Sequence, residues 1–137
     1  IDPNNVDLYF NLGVISSDKG DVDLAMSYYD KAIETDKSYK KAYLNAAALI
    51  LQKESKIIEE MNSLGTSNAD YNRYDELKIE REELYKSAVP YLVSVYELDN
   101  KNISAVRTLR NIYSAIDDVD NYNKYKAIAA EIESGLD

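Results

Sequence analysis

The side chains in this sequence that could do chemistry are mainly carboxylates and tyrosines, because neither Cys nor His occurs. Thiol nucleophiles, imidazole bases and the usual zinc, copper and iron ligands are therefore excluded. Carboxylates cluster at Glu59-Glu60, Asp75-Glu76 and Glu80-Arg81-Glu82-Glu83. A catalytic acid–base pair would need two carboxyl groups roughly 5–9 Å apart inside a cleft. Here Lys or Arg recurs three or four residues away, as with Glu82 and Lys86, so the clusters read as solvated helix faces. Asp117-Asp118-Val119-Asp120 could hold calcium loosely, yet it lacks the loop length, the central Gly and the closing Glu of a calcium loop. The four Gly form no Gly-x-Gly or Gly-Lys-Ser/Thr string that would cradle a phosphate. Tyrosines such as Tyr9, Tyr28, Tyr29, Tyr91, Tyr96, Tyr113 and Tyr125 could stack on a sugar or cofactor, but core packing with hydroxyls at the surface is the simpler reading. No catalytic, cofactor-binding or metal-ligating residue is assigned, and a non-enzyme is expected.

Charge narrows the partners. Lys and Arg number 16 against 25 Asp and Glu, a net charge of -9 that repels both a nucleic-acid backbone and an anionic membrane surface. The longest apolar run, Ala46 to Leu51, falls far short of the roughly 20 residues a bilayer span requires. The given residues begin at Ile1 and contain no leader, so the compartment stays open between cytoplasm and periplasm.

The elements that would position any site are helices, since two Pro and four Gly leave few breaks. Three segments of the chain agree with one another: Ile1-Asp2-Pro3-Asn4-Asn5-Val6-Asp7-Leu8, Thr35-Asp36-Lys37-Ser38-Tyr39-Lys40-Lys41-Ala42 and Leu98-Asp99-Asn100-Lys101-Asn102-Ile103-Ser104-Ala105. Each reads as a helix end, an Asp-led turn and a helix start. Asp2 and Asp36 lie 34 residues apart; Asp36 and Asp99 lie 63 apart, one period lengthened by 29.

Tyr9, Leu12 and Gly13, a Gly20-Asp21 turn, and then Ala25, Tyr29 and Ala32 follow at fixed spacing within the first period. In this the chain resembles the tetratricopeptide-repeat family. The resemblance implies an all-α solenoid of antiparallel helix pairs in which Gly13 and Ala25 mark a close helix crossing. Three units are expected, at about 4–36, 38–99 and 102–135, in a single domain that is a fragment of a longer array, since Ile1 aligns with Leu98 at the end of a closing helix. The third unit keeps Val106, Leu109 and Tyr113 but has Arg110 at the small crossing position, as suits an end unit, and a turn at Asp117 to Asp120 that reads as longer than usual.

The middle unit opens with Tyr43, Ala46, Ala47 and Ile50, but its closing Ala88, Leu92 and Val95 arrive 29 residues late. The intervening pattern stays helical, so one helix is expected from about Lys40 to Ser63 and another from about Tyr71 to Leu98. They form a projecting hairpin at about 52–84, with Gly65 ending the first arm and Asp70 capping the second. Pro90 should kink the second arm or split it in two.

The resemblance implies that the opening helices line a concave groove. Its candidates are Asp7, Phe10, Val14 and Ser17; Lys41, Leu44, Asn45, Ala48 and Leu51; and Ser104, Arg107, Thr108 and Asn111. Of the family's clamp for a C-terminal carboxylate only Asn45 matches, which argues against that ligand. The mixed groove, with Arg107 as the cation of its third unit, suits a peptide or partner helix with apolar anchors. Leu51 can equally be read as packing against the hairpin or another repeat, whereas the groove is the favoured reading for Phe10. At the hairpin Ile57, Ile58, Met61, Leu64, Tyr71 and Tyr74 either hold the two arms together or offer a second contact.

Two functional readings result: a protein-binding scaffold with no cofactor, and an assembly component that forms a homo-oligomer through the hairpin or by stacking of repeats end to end. Light scattering across a concentration series separates them.

Overall fold

A computed structural model describes residues 4–135. Its helices are α1 (Val6–Asp18), α2 (Val22–Thr35), α3 (Lys40–Leu51), α4 (Glu54–Ser63), α5 (Asn68–Leu98), α6 (Ile103–Ala115) and α7 (Val119–Ser134). The Asp2-led turn lies outside the described residues. Consecutive helices pack on one another, α1 on α2, α2 on α3, α3 on α5, α5 on α6 and α6 on α7, while α4 packs on α5. This nearest-neighbour order is that of an α-solenoid, in which α1, α3 and α6 open the pairs and α2, α5 and α7 close them. None of these helices is long and apolar enough to cross a membrane.

Side-chain caps set most of the starts. Asn5, Asp21, Asn102 and Asp118 each accept a hydrogen bond from the backbone N–H three residues on, and so satisfy one of the donors that a helix start leaves unpaired. Gly20 takes a left-handed φ of 81° before the cap Asp21. Asp117, with φ 58°, does the same before the cap Asp118. The last turn is therefore no longer than the first, contrary to expectation; an Asp has taken the glycine's place at the tolerated cost of a left-handed side chain.

The core is continuous. One cluster joins Ala47 and Ile50 of α3 to Tyr85, Ala88, Leu92 and Val95 of α5 and on to α6 and α7. A second joins Ala25 and Tyr29 of α2 to Ala46 and Leu49 of α3, and the partly buried Met26 and Tyr91 touch both clusters. Tyr91 also donates its hydroxyl to Asp30 at 2.8 Å, and Lys40 meets Asp99 at 3.0 Å, so polar contacts tie α5 to α2 and to the start of α3.

The hairpin departs from expectation in three places. The helix expected over Lys40 to Ser63 is interrupted at Gln52 and Lys53, although both keep right-handed helical dihedrals. The Lys53 N–H turns to Ile50 rather than to Leu49, and the Ser55 hydroxyl donates to the Gln52 carbonyl. The helical ladder thus tightens locally to an i−3 bond. Next, Ser67 rather than Asp70 caps α5. The two residues form a reciprocal capping box, the Asp70 N–H donating to Ser67 Oγ and the Ser67 N–H to Asp70 Oδ2, each at 3.1 Å, and α4 ends on extended Leu64 without a left-handed Gly65. Finally, α5 is not split at Pro90. Pro90 is exposed, so the Lys86 carbonyl that lost its donor lies where water can reach it.

Between residues 54 and 84 the one fully enclosed side chain is Leu77, at 1% exposure. Arg73 supplies the rest of the clasp. It grips both oxygens of Glu60 across the hairpin, at 2.7 and 3.1 Å, and adds Glu76 and Glu80 at 3.1 and 3.2 Å. That guanidinium holds the Glu60 carboxyl below the usual carboxylate range.

Candidate functional site: the flank of the opening helices

Two depressions run along the flank formed by α1, α3 and α6. The first, about 210 Å³, is lined by Ser17 of α1, by Asn45, Ala48 and Leu49 of α3, and by Gln52 and Tyr29. The Asn45 side-chain amide donates to the Tyr29 hydroxyl over a long 3.5 Å, which orients it without saturating it. The second, about 370 Å³, lies where α3 and α6 face each other, with Leu51 on one side, Thr108, Asn111 and Ile112 on the other, and Glu54, Arg81 and Tyr85 of the hairpin as its floor. Helical spacing explains the grouping, because Asn45 and Ala48, like Thr108 and Asn111, lie three residues apart on one helix face.

The structure thus brings together Ser17, Asn45 and Ala48 in one depression, and Leu51, Thr108 and Asn111 in the other. The remaining groove candidates line neither. Phe10 is half-buried between two rings, 6.0 Å from Tyr29 and 5.5 Å edge-on from Tyr39. Val14 packs beside it on the α2–α3 cluster, and Leu44 packs on the larger core. Lys41 and Ser104 are exposed. Arg107 is no free cation, since its Nε and Nη2 meet Glu133 Oε1 of α7 at 2.9 and 2.7 Å. Asp7 accepts the Tyr39 hydroxyl at 2.6 Å, and that bond pushes the phenol up to about 12.

The family model described as "Tetratricopeptide repeat" matches residues 6–39, the span of α1, α2 and the turn into α3. These residues carry one tetratricopeptide repeat. Within this repeat, a Cβ added at Gly13 would stand 2.5 Å from a ring carbon of Tyr29, so the close crossing leaves room for hydrogen alone. Among solved structures, the chain is similar to that reported as "Crystal structure of YrrB: a TPR protein with an unusual peptide-binding site", with 20% identity, a TM-score of 0.38, and coverage of 98% of this chain and 72% of that one. No curated protein matches the sequence.

Sequence reasoning missed Glu54, Arg81 and Tyr85. The cluster Glu80-Arg81-Glu82-Glu83 reads as a solvated face, yet Arg81 is turned inward and partly buried. Position on the helix could have revealed it. Arg81 stands four residues before Tyr85 and continues the buried stripe of Tyr85, Ala88, Leu92 and Val95. Its Nε donates to the Tyr85 hydroxyl at 3.1 Å and lies 3.6 Å from Glu54 Oε1, while the Tyr85 hydroxyl also bonds Glu54. Burial first, then the Glu54 carboxylate, raises the Tyr85 phenol, so it stays a protonated donor.

At the hairpin, Ile57, Ile58, Met61 and Leu64 are half-buried, whereas Tyr71 and Tyr74 are exposed.

Proposed function

We propose that this protein is a non-catalytic interaction module that holds a peptide or partner helix against the flank of α1, α3 and α6. The observation that carries the reading is that three successive opening helices contribute small and polar side chains to two neighbouring depressions, which none of the described residues occupies. Ser17, Asn45, Thr108 and Asn111 offer hydrogen bonds to a backbone, while Leu51 and Ile112 offer apolar contact. Phe10, Val14 and Leu44 support the flank from beneath rather than contact the partner. The hairpin, with Tyr71 and Tyr74 exposed at its outer end, is a secondary contact.

Ala48 is exposed and lines the first depression, so Ala48→Trp fills that depression without disturbing the core. For twelve-residue peptides selected on the wild-type chain from a random library, Ala48→Trp should weaken binding at least about tenfold while leaving the helical circular dichroism and the urea midpoint unchanged. Unchanged affinity in the folded variant would refute the groove assignment.

A further inference from the structure

Two arginines on α5 are eight residues apart and meet different surroundings. Arg73 has filled its guanidinium with three carboxylates. Arg81 spends only Nε, on Tyr85 and Glu54, and its two terminal nitrogens have no partner among the described residues. The side chain is not loose. Its guanidinium carbon stands 5.3 Å from the centroid of the Tyr85 ring, and only 31% of the side chain is exposed. A planar fork held in place with free donors is poised for one more carboxylate, as Arg73 shows a guanidinium of this same helix can accept.

Resting on the groove reading above, we infer that Arg81 recognises an Asp or Glu side chain of the segment bound along α3 and α6. Its location selects this ligand. Arg81 lines the depression between Leu51 and Asn111 and also the adjoining one, of about 180 Å³, that leads on past Tyr74 and Lys78. Because the two depressions share Arg81, Tyr85 and Ala115, a bound chain passes the guanidinium and continues, so the carboxylate belongs to a side chain rather than to a chain end. The facing acids leave room for it. Glu54 already meets Nε, Glu82 pairs with Lys86 at 2.7 Å, and Asp117 faces Lys78 and Arg81 across the adjoining depression. An apolar residue before the acid would meet Leu51 and Ile112.

The test uses the whole chain and twelve-residue peptides selected on it from a random library, remade as free acids and as C-terminal amides. Selected peptides should share an Asp or Glu at a fixed distance from an apolar residue. Arg81→Gln should weaken them about tenfold or more, and a Glu→Gln change in the peptide should then add no further loss. Arg81→Lys, which keeps a charge beside Glu54 but lacks the fork, should fall between the two, and Arg81→Glu should turn the selection towards Lys or Arg. Amidation should change nothing. Peptides with no shared acid, an acid whose removal costs the same in wild type and Arg81→Gln, or binding abolished by amidation would each overturn the inference. Peptides blocked by Ala48→Trp but indifferent to Arg81 would sink this inference and leave the groove standing; a library that yields no binder would sink both.

Discussion

In the pair α1–α2 a glycine admits a tyrosine ring; in the pair α6–α7, 97 residues on, Arg110 stands at that glycine's place in the repeat. The turn has kept its register, because Gly20 and Asp21 correspond to Asp117 and Asp118, each pair a left-handed residue followed by a capping aspartate. The packing has not. The first pair is closed by Tyr29 lying over Gly13, with Ala25 and Ala32 fully enclosed. The last is closed by rings, Tyr113 stacked on Tyr125 at 5.7 Å with Tyr96 edge-on at 6.0 Å. Turn and cap are enough to fix the path of the backbone, and more than one set of side chains can then fill the space between two helices.

The comparison can be broken from either side. Truncating the stack should be the most damaging change. Tyr125→Ala removes a 3%-exposed ring that two others touch, and an expected loss of about 3 kcal/mol should show in the urea midpoint. Next comes the glycine. Gly13→Ala drives a methyl group into Tyr29 and should cost about 2 kcal/mol, whereas Arg110→Ala at the matching place should shift stability by less than about 0.5 kcal/mol. Equal sensitivity at the two positions would show that the pairs pack alike after all. The smallest effect has the opposite sign. Asp117→Gly relieves a left-handed side chain and should stabilise by about 0.5–1 kcal/mol, measured as a rise in the thermal midpoint.

That contrast also explains how much of the molecule could be read from its sequence. The helix pairs were legible because the 34-residue spacing and the small and aromatic positions of the first unit report a close crossing directly. The family match covers this first unit, residues 6–39, where those positions are complete. The break at Gln52 and Lys53 was not legible, because neither residue is Gly or Pro and both keep right-handed helical dihedrals. The split offered at Pro90 did not occur, because a proline on the solvent side of a helix deprives only a carbonyl that water can serve. The capping box was legible in Ser67-Asn68-Ala69-Asp70 but was assigned to the wrong member of the pair. Within the proposed site, Ser17, Asn45, Ala48 and Asn111 line the depressions as their place on the opening helices suggests. Phe10 and Arg107 occupy equivalent places, but a neighbouring ring or carboxylate captures each of them, and only the tertiary contacts reveal that. Arg81 escaped notice because its charge was counted with its acidic neighbours instead of with the buried stripe it continues.

The claim on which the account turns is that the flank of α1, α3 and α6 is where a partner lies. Backbone amide shifts of the isotope-labelled chain, followed by nuclear magnetic resonance as a library-selected peptide is titrated in, test it most directly. The account predicts the largest changes at Ser17, Asn45, Ala48, Leu51, Thr108 and Asn111, and little change along α2 and the outer face of α7. Shifts concentrated on α2 and α7, with those six residues unmoved, would contradict it.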